Sequence, residues 1–516
     1  MKKLRKVCSL IMAFVMVLAL GISAQAADSS YTITIDNSTS GHTYEAYQIF
    51  TGDLSDGVLS NVQWGSGVDS VNLLTALKAD PTVGTTFTNC ATAADVASAM
   101  DKMENDSISA QAIAQVVGSY LSSTIAGTST YASSAYTITG LNAGYYLVKD
   151  KNDSVTGEGD SYTRFILQVV ANETVTPKSA VPTVTKTVDN ADDSTTEGVV
   201  KESSADYDIG DTVPFTLTGT LPSNYADYAA YKYIFHDTMA AGLTFDPASV
   251  VVKVDGTPIT TGYTVATSGL TDSCTFEIQF ADLKQIPSIT AASVITVEYN
   301  ATLNSSAVIG SAGNPNTVSL EYSNNPNVGG SGNTGTTPGS TATVFTYQVI
   351  INKVDQNNAP LTGAAFTLEK YVAETNSWTP ITVVANPEGT TFTFSGLDEG
   401  LYHLTETTTP AGYNTIDPVF FTVTAVTTDN TLTSLTAVQT DAAGTPLPTE
   451  FHEIIATFAP DLTAGSVTTN IVNNAGATLP STGGIGTTIF YIVGGALMVG
   501  AAVLFVTKKR QNGHEN

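Results

Sequence analysis

For most of its length the chain is a succession of short segments in which Thr, Val, Ile and Tyr alternate with polar residues, separated by Gly, Asn, Asp and Pro. Side chains alternate faces along a strand, so a period of two suits strands with one buried face and turns between them. The expected fold class is therefore predominantly all-β, built from tandem immunoglobulin-like β-sandwiches. A chain of 516 residues exceeds what one core usually supports, which implies several domains in series. Within 68–125, VNLLTALKAD, ATAADVASAMDKM and ISAQAIAQVVGSYLSS show helical spacing instead. Thr92 or Asp95, and Ser107 or Ser109, are the expected caps of the later two helices. The first domain is thus expected to be β with a helical insertion.

Two apolar segments lie outside this pattern. Residues 1–26 carry Lys2, Lys3, Arg5 and Lys6, then an apolar run, then Ala24-Gln25-Ala26, as in a secretory signal peptide. Residues 485–506 hold no charge and would reach roughly 33 Å as a helix, enough to cross a bilayer. Lys508, Lys509 and Arg510 follow, which places the tail 507–516 in the cytoplasm and the domains outside. The net charge of −27 excludes nucleic acid as a partner, because phosphate neutralisation needs clustered Lys and Arg. Beyond Cys8 there are only Cys90 and Cys274, in different expected domains, so no disulfide framework is expected. No cofactor or metal is expected either: His42, His236, His403, His452 and His514 show no ligand spacing, and no nucleophile motif stands out. The run 150–160, DKNDSVTGEGD, spaces oxygens somewhat like a calcium loop but lacks its Gly and closing Glu, and reads as a solvated acidic loop. The glycosylation pattern at Asn37 carries no weight.

The expected organisation is a signal peptide 1–26, a first domain 27–178, a second 179–327, a Gly/Ser/Thr-rich linker 328–343, a third 344–474, and a C-terminal signal 475–516. GLNAGYYLVKD (140–150) aligns without gaps with GLDEGLYHLTE (396–406), so the first and third domains are expected to share a topology.

Strand parity forces certain polar residues inward. In the third domain Lys353 shares a face with Tyr347, Val349 and Ile351; Glu406 with Tyr402 and Leu404; Asn473 with Val467 and Ile471. In the second, Lys186 lies between Val184 and Val188, Asp237 follows Tyr233 and Phe235, and Asn316 precedes Val318, Leu320 and Tyr322 on one face. Burial disfavours the charge on both amine and carboxyl. A neutral lysine is a nucleophile, and a neighbouring acid can polarise an amide and move a proton. Two uses are open: a buried ion pair with a hydrogen-bonded Asn, or attack of Nζ on the Asn amide to give an isopeptide bond. Asn314, Asn470 and Asn474 are alternative acceptors. The first domain's opening strand YTITIDNS holds no lysine, so no bond is expected there, and Asp150, which aligns with Glu406, is expected at a surface or turn.

Leu479-Pro480-Ser481-Thr482-Gly483, followed by an apolar span and a basic tail, resembles the LPXTG sorting signal that sortases of Gram-positive bacteria cleave between Thr482 and Gly483. VTPK, ending at Lys178 at the close of the first domain, is similar to the pilin motif whose lysine accepts the acyl group, with Thr176 where Tyr is frequent. With both ends present the chain resembles a backbone pilin, the major shaft subunit of sortase-assembled pili. That resemblance implies an A-type collagen-adhesin sandwich second and a B-type third, YHLTETTTPAGY matching the latter's Glu-containing box. It further implies internal bonds Lys186–Asn316 with Asp237 and Lys353–Asn473 with Glu406, and an intersubunit bond from Thr482 to Lys178. The implied partners are a class C pilin sortase, a housekeeping sortase, other copies of the chain, tip or basal accessory pilins, and peptidoglycan. The implied place is the cell wall and extracellular pilus, reached through a membrane-retained precursor, with no enzymatic activity. The rival reading is a monomeric wall-anchored adhesin that binds a host glycan or matrix ligand.

Overall fold

A computed structural model of the chain describes residues 30–104, 107–155, 158–177, 180–191, 193–196, 198–270, 272–328, 332–448, 455–476 and 485–511. The signal peptide, Lys178 and the sorting motif Leu479 to Gly483 all lie outside the described residues.

The first domain stacks two sheets. One runs in the spatial order Thr130–Ala132, Ala135–Leu141, Tyr31–Ile35, Glu173–Val175; the other runs Val58–Trp64, Tyr44–Ser55, Gly144–Asp150, Arg164–Val169. Ile33, Ile35, Tyr44, Ala46, Ile138, Tyr146 and Val148 form the core between them. On the outer face of the second sheet pack the helices Ser70–Ala79, Gly84–Phe87, Ala93–Met100 and Ile108–Ser119, which bury Leu73, Leu77, Phe87, Val96, Ile113 and Val117. Thr92 caps its helix in a reciprocal pair with Asp95, and Ser107 caps the next, each satisfying an orphan N–H. The short helix Gly84–Phe87 has no periodic signature in the sequence.

The third domain repeats the first. Its sheets run Val383–Ala385, Thr391–Leu397, Tyr347–Asp355, Ser466–Asn473, Ala459–Asp461 and Ser377–Ile381, Ala365–Val372, Gly400–Thr408, Val419–Thr428, Thr431–Thr440. In both domains the opening strand pairs antiparallel with the first strand of the repeated strand–turn–strand unit, whose two strands lie in facing sheets, and parallel with the closing strand. Gly140 and Gly396, where the chain turns from one sheet to the other, hold φ of 78° and 80°, a region open to Gly, which explains why that residue recurs in both copies.

The second domain pairs a six-stranded sheet (Val200–Glu202, Val184–Asn190, Thr212–Gly219, Ile295–Leu303, Leu243–Val254, Thr257–Ile259) with a seven-stranded one. The latter runs Ser204–Asp206, Ser340–Phe345, Asn314–Ser323, Tyr233–Met239, Phe276–Phe280, Thr264–Ala266, with Thr334–Thr336 also on Asn314–Ser323. Within the expected linker 328–343, Thr334–Thr336 and the start of Ser340–Phe345 are strands of this sheet. Ser340–Phe345 pairs antiparallel with 314–318 and parallel with Ser204–Asp206. Composition misleads here because Thr and Ser serve an edge strand as well as a flexible tether. Only Thr346, fully buried and donating to the Leu397 carbonyl at 3.1 Å, separates this strand from the third domain.

The joint between these two domains is ionic and buried. Lys370 of the third domain lies 2.7 Å from Asp193 and 3.0 Å from Asp208 of the second, and also contacts Asp398. Burial lowers the Lys370 amine, but the charges of Asp398, Asp208 and Asp193 outweigh it and hold the ammonium charged well above the usual lysine range. The C-terminal helix Ile485–Gln511 includes an apolar stretch, Ile489–Lys509, long enough to cross a membrane.

Candidate functional site: two buried Lys, acid and Asn sets

In the second domain the lysine and its partners come from opposite sheets. Lys186, on the strand Val184–Asn190, points across the sandwich to Asp237 on Tyr233–Met239 and Asn316 on Asn314–Ser323. Asp237 and Asn316 are fully buried, and Lys186 is 3 % exposed. Lys186 Nζ donates to Asp237 Oδ2 at 2.7 Å and contacts Asn316 Oδ1. The Tyr299 hydroxyl donates to Asp237 Oδ2 at 2.9 Å and accepts from Asn316 Nδ2 at 2.9 Å. The rings of Phe215 and Tyr299 flank the amine at 5.6 and 5.8 Å. Burial lowers the Lys186 amine to about 8 in spite of Asp237, and burial raises the Asp237 carboxyl in spite of Lys186. Both shifts move the pair toward a neutral amine beside a neutral acid. Asn314 turns elsewhere: its side chain accepts from the Val308 N–H at 2.8 Å and donates to the Val308 and Val344 carbonyls at 3.1 Å each.

The third domain brings the same residue types together differently. Lys353 and Asn473 sit on neighbouring parallel strands of one sheet, Asn473 opposite Asp355, two residues beyond the lysine. Both are fully buried. Glu406 reaches them from the facing sheet and accepts from Asn473 Nδ2 at 2.9 and 3.2 Å. Lys353 Nζ donates to the carbonyls of Val354 at 3.0 Å and Ile471 at 2.9 Å, and has no direct hydrogen bond to Glu406. Asn473 Oδ1 is buried without a hydrogen-bond partner. Burial lowers the Lys353 amine to about 8 against the raising charge of Glu406. Asn470 and Asn474 are both exposed, and the former accepts from Asn352.

Parity identified these six residues but not what holds the carboxylates. Tyr299 reads only as one more inward aromatic of ITVEYNATL, and nothing in the pattern says that its hydroxyl bridges acid and amide. Thr409, Thr415 and the Ile416 N–H donate to Glu406 Oε2 at 3.2–3.3 Å. Of these only Thr409 falls in the box that resembles the family's.

The first domain corrects one expectation. Asp150 is fully buried, not at a surface or turn. It accepts from His42 Nδ1 at 2.8 Å, the Thr163 N–H at 2.6 Å and the Thr163 hydroxyl at 3.0 Å; Asp160 lies 2.9 Å from His42 Nε2. Matching Ile33 with Val349 and Ile35 with Ile351 through their antiparallel partners puts Asn37 at the place of Lys353. No amine faces the acid there, and an imidazole from the following turn takes its place. The run 150–160 is consequently not a solvated acidic loop at its two ends, although Asp153 and Glu158 are exposed.

With this geometry in view, the comparisons are specific. Residues 209–326 match a family model described as the Gram-positive pilin backbone subunit 2, Cna-B-like domain. Residues 347–441 match a prealbumin-like fold domain, and 471–513 the LPXTG cell wall anchor motif. The chain carries the domains of a Gram-positive backbone pilin. Among curated relatives, the trypsin-resistant surface T6 protein of Streptococcus pyogenes serotype M6 is 28 % identical over 414 residues, 69 % of this chain and 75 % of that one. Among solved structures, the T6 backbone pilin of the same organism aligns with a TM-score of 0.52 at 19 % identity, covering 88 % of this chain and all of that one, and its fold is described as three modular domains. The major pilin SpaD of Corynebacterium diphtheriae aligns at 16 % identity over 87 % of this chain and 98 % of its own, with a TM-score of 0.47. The second domain matches a model with a B-like description where an A-type sandwich was expected. Its lysine nevertheless crosses between sheets, whereas that of the third domain stays within one.

Proposed function

We propose that the chain is a structural subunit of a cell-surface pilus shaft, joined to its neighbours by sortase from Thr482 of one copy to Lys178 of the next and stiffened by self-formed bonds Lys186–Asn316 and Lys353–Asn473. The single observation that carries the internal chemistry is the contact of the buried Lys186 amine with the Asn316 side-chain carbonyl, with Asp237 at 2.7 Å from the same nitrogen. Nζ attacks Cγ of Asn316, the protonated Asp237 gives its proton toward the departing nitrogen and takes one from the amine in its place, ammonia leaves, and an amide remains. In the third domain Glu406, bonded to Asn473 Nδ2, is set to protonate that leaving group. No step needs a cofactor, and this chemistry acts once on the chain itself and not on a substrate.

The anchor match supports sortase processing and attachment to peptidoglycan. In this reading a class C pilin sortase polymerises the chain, a housekeeping sortase attaches the base, and accessory pilins sit at tip or base. Replacing Lys178 by Ala tests the shaft role: the detergent-resistant ladder of surface polymers should collapse to monomer. A persisting ladder would refute Lys178 as the acceptor.

A further inference from the structure

A second group of side chains stands outside both crosslink sites. On the outer face of the second domain's seven-stranded sheet, His236 and Glu277 are directly opposed across the antiparallel pair Tyr233–Met239 and Phe276–Phe280. Residues 272–274, just before the latter strand, bring Asp272 and Cys274 over them. Sequence spacing hid the set, because cross-strand pairing and not a short motif assembles it.

We infer that His236, Asp272, Cys274 and Glu277 form a binding site for a divalent transition metal of zinc type. Nδ1 of His236, Sγ of Cys274 and one carboxylate oxygen from each acid all lie within 4.8 Å of one another. His236 Nδ1 is 2.7 Å from Asp272 Oδ2 and 3.2 Å from Glu277 Oε1, and Cys274 Sγ is 3.8 Å from Glu277 Oε1. Neighbouring ligands in a tetrahedral zinc site stand about 3.3–3.7 Å apart, given Zn–N and Zn–S bonds near 2.0–2.3 Å. His236 Nδ1 is buried and faces both acids, yet makes no hydrogen bond of acceptable geometry.

The surroundings hold each ligand in place. Glu277 Oε2 accepts from Gln279 Nε2, which leaves Oε1 toward the histidine and the cysteine. Asp272 Oδ1 accepts the Cys274 N–H at 3.1 Å, fixing the turn and leaving Oδ2 toward His236. On the far side of the ring, His236 Nε2 lies 3.5 Å from Glu321 Oε2, and Glu321 is itself held by Lys232 at 2.7 Å. A carboxylate behind a histidine fixes the tautomer that leaves the other nitrogen free to ligate. Three carboxylates thus surround one imidazole, only Glu321 of them paired to a lysine, Lys232, among the described residues, and a dication would neutralise the excess. Mixed nitrogen, sulfur and oxygen donors favour zinc over calcium or magnesium, which take oxygen alone.

The test uses the full chain purified in detergent, with Co2+ as a spectroscopic probe and Zn2+ as competitor. One Co2+ per chain should bind, give a thiolate-to-cobalt charge-transfer band, and be displaced by Zn2+. Cys274→Ser should abolish the band, and Asp272→Asn should weaken binding at least tenfold. The latter side chain is 45 % exposed, so its loss does not disturb the core. Absence of stoichiometric binding, or a band that survives in Cys274→Ser, would overturn the assignment.

Discussion

Replacing Asp237 by Asn removes the proton carrier of the second domain while keeping its shape. The Lys186 amine would still lie beside Asn316, but no group would remain to take its proton and deliver one to the leaving nitrogen. Lys186 and Asn316 are separated by 130 positions, and closing a loop of that size removes unfolded-state entropy equivalent to about 5 kcal/mol at 25 °C in the chain-entropy treatment used for disulfides. For a domain of this size each kcal/mol moves the midpoint by about 2–4 °C, so the variant's second-domain transition should fall by roughly 10–20 °C. Intact-mass spectrometry and calorimetry on the extracellular part read both effects together. The unaltered protein should be lighter than its sequence by two ammonia molecules and Asp237→Asn by one, with the third-domain transition unmoved. A variant that still lacks two ammonias would refute the role of Asp237. An unaltered protein of full sequence mass would refute self-crosslinking altogether.

Four further outcomes follow from the same geometry. Asn473→Ala should lose one ammonia deficit, whereas Asn470→Ala and Asn314→Ala should keep both, read by the same masses. Burial lowers His42, but hydrogen bonds and charge from Asp150 and Asp160 raise it to about 9, above its ordinary 6.5. Its stabilising charge is then fully present below about pH 6.5 and lost as pH rises through 9, so the first domain's melting midpoint should fall across that window and His42→Gln should flatten the dependence. Lys370→Met strips the cation from Asp193, Asp208 and Asp398 and should cost the joint about 3–5 kcal/mol, seen as separation of the second- and third-domain transitions in calorimetry. Under tension, two strands, Thr334–Thr336 and Ser340–Phe345, lie between the strand of Asn316 and the third domain, so the segment 317–352 between the two crosslinks is the part left to extend, by at most about 130 Å. Single-molecule stretching that releases whole-domain lengths would refute this path of force.

The sequence by itself determined the serial sandwiches, the helical insertion, the repeat of the first domain in the third, and the inward aim of Lys186, Asp237, Asn316, Lys353, Glu406 and Asn473. Each of these rests on local periodicity, and one buried face per strand makes parity legible without knowing what packs opposite. Tertiary structure alone decided which of these residues meet. Lys186 crosses between sheets and Lys353 reaches along one, a difference set by strand order, which parity does not encode. It alone turned Asp150 inward onto His42, folded the Ser and Thr of 340–345 into a sheet, and set His236 against Glu277, Asp272 and Cys274. Contacts of that kind join positions far apart in the chain, and the pairing that creates them is fixed only when the sheets close over a common core.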